Sequence, residues 1–183
     1  MNEEKSQSLK IENIVASGSI ADSIDLEMIS AKIENCDLNK KRFPGAVYRI
    51  QEPKVAFLIF SSGKVVITGV KSPEDLVRGQ DILIQNMIEV GVICHDTPDV
   101  AVTNMVCSYD LGNKINLNKV VLSLSLENIE YEPEQFPGLV YRISDPKVVA
   151  LLFSSGKIIL TGGKTMEDVE RGVAFLEQKL GNI

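Results

Sequence analysis

The chain carries the same segment twice. The letters FPGAVYRI, which begin at residue 43, return as FPGLVYRI 93 residues later, and FSSGK, which begins at residue 60, returns at the same offset. Between residues 43–79 and 136–172, 23 of 37 positions are identical. A duplication held this closely predicts two halves of the same fold that act on a target with approximate two-fold symmetry. Double-stranded DNA is one such target.

The composition indicates a globular protein that needs no external support to fold. A chain of 183 residues, 44% of them hydrophobic, buries a sizeable core without a disulfide or a metal ion. Its three cysteines are odd in number and show no CxxC spacing, so neither a disulfide framework nor a zinc site is indicated. Residues 1–8 are polar, and no stretch approaches 18 apolar residues. We therefore expect a soluble protein of a reducing intracellular compartment, with no cofactor, no metal and no membrane partner.

The motifs of common enzymes are missing from the sequence. The only histidine, His95, lies in a connector that has no counterpart in the other half, and neither GxSxG nor HExxH occurs. The segment Ser61-Ser62-Gly63-Lys64 resembles a phosphate-binding loop, but Leu58 occupies the position of the first glycine. We expect a protein that is not an enzyme.

Both halves show the same order of secondary structure signals, namely strand, helix, four strands and helix. The first strands are predicted at residues 10–17 and 100–108, each rich in Ile and Val and each interrupted by one asparagine. Helix starts are predicted at Asp25, at Asn116 or Asn118, at Ser72 and at Thr165. This order predicts an α+β fold in which helices cover one side of an antiparallel sheet. In the first half the four short strands are predicted near residues 36–38, 46–50, 55–60 and 64–68.

Two of the strand signals of the first half are apolar on both faces. An antiparallel sheet with one wet face alternates apolar and polar residues, whereas residues 55–60 and 65–67 are apolar throughout. An uncovered apolar face of this size indicates a binding surface, and a second subunit that buries it is the alternative. If helices cover Val55, Phe57, Ile59, Val65 and Ile67, then Ala56, Leu58, Phe60, Val66 and Thr68 form the open face.

The FPG and FSSGK segments, with Thr-Gly pairs at residues 68–69 and 161–162, resemble the TATA-box-binding protein family. The resemblance extends over residues 10–180 and includes the duplication. It implies a saddle of two quasi-symmetric repeats, with a curved ten-stranded antiparallel sheet and helices on the convex side. The implied boundaries are an N-terminal segment at 1–9 and repeats at 10–96 and 97–183, together forming one intertwined structural unit.

The resemblance implies that the apolar face lies on the minor groove of DNA. There, A·T pairs present only acceptors, and the amino group of G would clash with a flat apolar lining. Two phenylalanine pairs, Phe43 with Phe60 and Phe136 with Phe153, are implied to insert between base steps and kink the duplex, whereas Phe57 and Phe175 are expected in the core. The implied base contacts are Asn13, Val15, Leu58, Val66 and Thr68 in the first repeat, and Asn104, Val106, Leu151, Ile159 and Thr161 in the second.

The net charge of -6 and the pI near 4.9 argue against a partner held by overall charge. Screening limits each charge to a range of about 8 to 10 Å, so the local sign decides contact with phosphate. Arg42 has Gln135 as its counterpart, which predicts a firmer grip by the first repeat. The expected phosphate contacts are Arg42, Arg49, Lys64, Lys71, Arg142, Lys157 and Lys164.

The loop before Phe136 has acidic residues, Glu132 and Glu134, where the first half has Lys40 and Lys41. In the family this loop contacts transcription factor B; a solvated loop is the alternative. The resemblance implies a general transcription initiation factor that binds and bends TATA-box promoter DNA and recruits transcription factor B and RNA polymerase, with a possible homodimer in the absence of DNA. It implies a cytoplasmic, nucleoid-associated location in an archaeon, or the nucleus in a eukaryote. The alternative is a non-catalytic interaction or dimerisation module that uses the same face.

Overall fold

A computed structural model describes residues 9–124 and 128–181. Most of the predicted N-terminal segment, residues 1–8, lies outside the described residues. The helices are α1 (Leu26–Lys32), α2 (Pro73–Glu89), α3 (Leu117–Ser123) and α4 (Met166–Leu180). The strands are β1 (Lys10–Ala21), β2 (Cys36–Leu38), β3 (Ala46–Gln51), β4 (Lys54–Ile59), β5 (Lys64–Val70), β6 (Cys94–Asp110), β7 (Ile129–Glu130), β8 (Leu139–Ile143), β9 (Val148–Leu152) and β10 (Lys157–Gly163).

The chain divides into two compact units, and each contains an antiparallel sheet. The first unit comprises residues 13–103, and its strands lie in the order β2-β3-β4-β5-β1. The second unit comprises residues 104–181 with residues 9–12, and its strands lie in the order β6-β10-β9-β8-β7. The predicted class, an α+β fold with ten antiparallel strands and four helices in two repeats, is confirmed. The boundaries drawn between the repeats stay predictions.

Alternation along β4, and along β5 as far as Thr68, separates a core face from an open face in the first unit. All five residues predicted to lie beneath the helices are at most 2% exposed, including Phe57, which is confirmed in the core. Leu83 and Met87 of α2 are fully buried. A side chain at Gly79 would bring a Cβ to 3.0 Å from Val55 Cγ2, so this glycine allows the close packing of α2 on β4.

The same packing recurs in the second unit. A Cβ at Gly172 of α4 would lie 3.1 Å from Val148 Cγ2 of β9. Val169, Val173 and Leu176 form the buried side of α4. Phe175 is only half-buried and lies against Tyr141, with ring centroids 6.0 Å apart, so it belongs to the margin of the core.

Side chains at the helix starts confirm the predicted caps. The side chains of Asp25, Ser72 and Thr165 each accept a backbone N–H three residues later, as N-caps do. Asn116, and not Asn118, caps α3. These four bonds begin the helices at the positions where the sequence places polar cap residues before apolar stripes.

The first strand of each repeat is longer than the sequence predicts. We predicted that β1 ends at Ser17, next to Gly18, but it continues to Ala21. A Cβ at residue 18 would lie 1.5 Å from the carbonyl oxygen of Asp99, so the glycine marks a close approach of backbone and not a strand end. Likewise β6 begins at Cys94 and not at Val100.

Candidate nucleic-acid interface

In the first unit, cross-strand pairs place apolar residues in rows on the open face. Val47 of β3 pairs with Leu58 of β4, and Leu58 pairs with Val66 of β5. In a second row beside the first, Ala56 pairs with Arg49 on one side and with Thr68 on the other. Directly opposed residues project from the same face of an antiparallel sheet. The predicted open set is half-exposed, whereas the five residues that alternate with it are buried.

The second unit repeats these rows at the equivalent positions. Val140, Leu151 and Ile159 form one row across β8, β9 and β10. Arg142, Val149 and Thr161 form the other. Val15 and Val106, on the first strand of each repeat, are half-exposed as well. All the residues predicted to contact bases lie on the open face of their own unit.

A phenylalanine pair lies at one end of each open face. The rings of Phe43 and Phe60 meet edge to face with centroids 5.6 Å apart, and those of Phe136 and Phe153 do so at 5.9 Å. Phe136 is 41% exposed, a large fraction for an aromatic ring. These pairs are therefore at the surface, in contrast to Phe57.

A glycine makes room for each phenylalanine pair. A Cβ at Gly138 would lie 2.8 Å from Phe136 Cε1 and 3.0 Å from Phe153 Cε1, and one at Gly45 would lie 2.9 Å from Phe43 Cε1. Any side chain here would displace the rings. The FPG motif is thus explained locally: its phenylalanine supplies one ring of the pair, and its glycine leaves space for it.

Asn13 and Asn104 each lie at a bulge between two strands. The register of β1 against β5 shifts between Ile14 and Ala16, and that of β10 against β6 shifts between Leu160 and Gly163. Gly69 and Gly162 occupy the bulges with φ of +86° and +93°, a conformation that favours glycine. Their N–H groups donate to the side chains of Asn13 and Asn104, at N···Oδ1 distances of 2.8 and 2.6 Å.

These bonds fix the orientation of both amides. A backbone N–H only donates, so the atom that it contacts is the amide oxygen, and the NH₂ group takes the other position. The Nδ2 atoms lie 3.3 Å from Thr68 Oγ1 and Thr161 Oγ1, which occupies one of two N–H donors. Sequence reasoning missed the role of the two glycines, although the repeated Thr-Gly pair was visible.

The predicted phosphate-binding cations are all exposed. Arg49, Lys64, Arg142 and Lys157 project from the open faces of their strands. Arg42, Lys71 and Lys164 lie outside the strands, in the segments that flank them. Arg142 Nη2 lies 3.9 Å from Glu130 Oε2.

Two further cations lie beside this set. Lys54 shares the open face with Ala56, as the alternation along β4 shows, and Lys147 is its equivalent. In the second unit, Arg142, Lys147 and Lys164 line a depression of about 410 Å³ whose floor includes Val149 and Gly162. Sequence reasoning missed both lysines because it assigned the Pro-Lys segments that contain them to turns. Their parity with Ala56 and Val149 was the available signal.

The loop before Phe136 exposes Glu132 and Glu134. The carbonyl oxygen of Glu132 accepts the N–H of Phe136 at 3.0 Å, which ties the loop to the phenylalanine pair.

Among the helices of the described residues, none is long and apolar enough to cross a membrane. Residues 9–124 and 128–181 contain no group of three or more His, Cys, Asp or Glu that could hold a metal ion.

Comparison with known proteins gives one consistent family. The family model "Transcription factor TFIID (or TATA-binding protein, TBP)" matches residues 8–89 and 99–183. The chain is 51% identical to TATA-box-binding protein 1 of Methanosarcina acetivorans, over 96% of each chain. It is 48% identical to the TATA-box-binding protein of Haloarcula marismortui, over 97% of this chain and 95% of that one. The solved structure of Methanococcus jannaschii TBP aligns with a TM-score of 0.86 and 43% identity, over 96% of this chain and 99% of that one.

Proposed function

This chain belongs to the TATA-binding protein family, and on that premise we propose that it is a general transcription initiation factor that binds TATA-box promoter DNA. It binds in the minor groove and bends the duplex. The observation that carries the proposal is the repeated open face: apolar rows, an oriented amide and a partly exposed phenylalanine pair occur in each unit.

The apolar rows select A·T pairs by exclusion. Leu58, Val66 and their equivalents carry no hydrogen-bonding groups, so the amino group of guanine would be buried against them without a partner. A·T pairs bring no such donor to the groove. The floor therefore discriminates against G·C pairs and leaves A·T and T·A nearly equivalent.

The oriented amides supply the donors that A·T acceptors need. Because Gly69 and Gly162 engage the amide oxygens, the NH₂ groups of Asn13 and Asn104 are the parts left to meet adenine N3 or thymine O2. Thr68 and Thr161 add hydroxyl groups beside them. A fixed amide loses little conformational freedom on binding, which favours affinity.

The phenylalanine pairs act as wedges. Phe43 with Phe60 and Phe136 with Phe153 insert between base steps and kink the duplex, as apolar side chains of minor-groove proteins do. The exposed cations, Lys54 and Lys147 included, contact the phosphates of the bent backbone.

The partners follow from the same family membership. Glu132 and Glu134, exposed beside the second wedge, contact transcription factor B, and the complex then recruits RNA polymerase for assembly of the preinitiation complex. A homodimer that covers the open faces is possible before DNA binds. The similar chains come from archaea, which supports a cytoplasmic, nucleoid-associated location.

The test is energy transfer across a short duplex labelled at both ends and carrying a TATA-like element. The unchanged protein should raise transfer, and the double variant Phe136→Ala, Phe153→Ala should lose most of that rise. Leu122→Ala is a matched control, since it removes an exposed apolar side chain from α3. Binding that is absent, or equal on a G·C-rich duplex, would reject the minor-groove proposal in favour of an interaction module that uses the same face.

A further inference from the structure

We infer that the two repeats hold DNA by different means: the first mainly through uncompensated cations, and the second mainly through its apolar floor, because carboxylates on its open face offset its cations. The inference rests on the proposed function and adds to it a division of labour between the repeats. It draws on three places at which the repeats, otherwise closely similar, differ in charge or in the pairing of charges.

The first difference concerns the lysines of the FSSGK segments. Lys64 pairs across the strands with Ser19, whereas the equivalent Lys157 pairs with Asp110. Side chains directly opposed in an antiparallel sheet have Cβ atoms about 4.5 to 5.5 Å apart. The carboxylate of Asp110 therefore lies well within a screening length of about 8 to 10 Å from the cation. A phosphate that approaches Lys157 also meets this negative charge.

The second difference concerns the arginines. Arg142 lies 3.9 Å from Glu130, measured between Nη2 and Oε2. The counterpart of Glu130 in the first repeat is Asp37, which is one methylene shorter. Within the part of the chain that the structure describes, no carboxylate lies within 4.0 Å of Arg49. Both arginines have a carboxylate on the neighbouring strand, but only that of the second repeat lies within 4.0 Å of it.

The third difference lies in the loops that precede the wedges. Residues 39–42 carry three positive charges, and the equivalent residues 132–135 carry two negative charges. Lys40 is itself paired with Glu27 at 2.9 Å, which leaves Lys41 and Arg42 as the uncompensated cations of the first loop. All three differences therefore have the same sign.

The physical consequence is an unequal dependence on salt. The plot of log K against log salt has a negative slope. Each cation that neutralises a phosphate releases a counterion and adds about 0.9 to the magnitude of that slope. A cation already beside a carboxylate adds less, since part of its charge is neutralised before DNA arrives. The first repeat should therefore supply most of the salt dependence, and the second repeat most of the affinity that persists at high salt.

The duplication provides matched variants for the test. The slope is measured on a duplex with a symmetric A·T element, for the unchanged protein and for Lys64→Gln and Lys157→Gln. We expect Lys64→Gln to reduce the magnitude of this negative slope by about 0.9, and Lys157→Gln to reduce it by less than about 0.5. When Asp110 is first replaced by Asn, the further change Lys157→Gln should also reduce the magnitude of the slope by about 0.9. Conversely, when Ser19 is first replaced by Asp, Lys64→Gln should change the slope by less than it does in the unchanged protein.

Asp110→Asn preserves an oxygen that can accept the N–H of Gly112, a bond of 2.8 Å in the structure, so the fold should tolerate it. Equal losses for the two lysine variants, or no change in the Asp110→Asn background, would overturn the inference while leaving the proposed function intact. Failure of the unchanged protein to bind any A·T duplex would instead overturn the proposed function, and this inference with it.

Discussion

We expect the substitution Asn104→Asp to weaken DNA binding strongly while it leaves the stability of the fold almost unchanged. The oxygen of the amide accepts the N–H of Gly162 at 2.6 Å, and its nitrogen donates to Thr161 at 3.3 Å. Aspartate has nearly the same shape and retains the acceptor for Gly162. The oxygen that replaces the nitrogen can accept a hydrogen bond from the threonine hydroxyl. We expect the free energy of unfolding to change by less than about 1 kcal/mol.

DNA binding should respond much more strongly. The NH₂ group that faces the acceptors of an A·T step becomes a negatively charged acceptor, which leaves a base acceptor unpaired and buries a charge against it. An unsatisfied buried partner costs about 1 to 3 kcal/mol, and more when a charge is involved. A total of about 2 to 4 kcal/mol corresponds to a loss of affinity of roughly 30- to 900-fold.

The assay pairs urea unfolding with fluorescence anisotropy on a labelled A·T-rich duplex. Asn104→Ala is the contrasting variant: it removes the acceptor of the exposed Gly162 N–H and should lower the free energy of unfolding by about 0.5 to 1.5 kcal/mol, the worth of an ordinary hydrogen bond. Asn13→Asp is the matched variant in the first repeat, where Gly69 donates at 2.8 Å. If Asn104→Asp binds the duplex as tightly as the unchanged protein while folding normally, the amide does not read the groove and this reasoning is refuted.

Two further predictions concern stability. Phe57→Ala should lower the free energy of unfolding by about 3 to 5 kcal/mol in urea, since the ring is fully buried and stacks on Tyr48 with centroids 5.5 Å apart; the exposed Phe136→Ala is its control, and equal losses would contradict the assigned faces. Burial raises the pKa of the Cys36 and Cys107 thiols from 9.0 to about 11, so the folded state retains protons that the unfolded state releases. The contribution of these thiols to the free energy of unfolding should therefore be fully present below pH 9 and be lost as the pH rises toward 11. If the free energy of unfolding falls as steeply with pH in the double variant Cys36→Ala, Cys107→Ala, other groups cause the fall.

The sequence predicted the faces of the strands because alternation leaves little freedom. Once helices cover Phe57 and Ile67, the period of two places Leu58 and Val66 on the other side, and the structure has them there. The starts of the helices could also be predicted, because Ser72 and Thr165 are cap residues that acidic residues follow in the first turn.

Contacts between segments distant in sequence were not readable. We predicted that β1 ends at Ser17, but the strand continues through Gly18, which admits the backbone of Asp99. The bulges at Gly69 and Gly162 depend on the register between two strands, which no local pattern specifies. The orientation of Asn104 follows from that bulge, so its geometry could come only from the structure.

The alternation of faces also bears on how the two copies diverged in length. The helices α1 and α3 lie 91 residues apart, whereas β2 and β7 lie 93 apart, so two residues were gained or lost between Ser123 and Ile129. From β3/β8 through β5/β10 the offset stays constant. One residue inserted into β4 would turn its remaining side chains over, sending Leu58 into the core and Ile59 into solvent. Insertions and deletions are thus confined to connections, while strands of this protein can drift only by substitution.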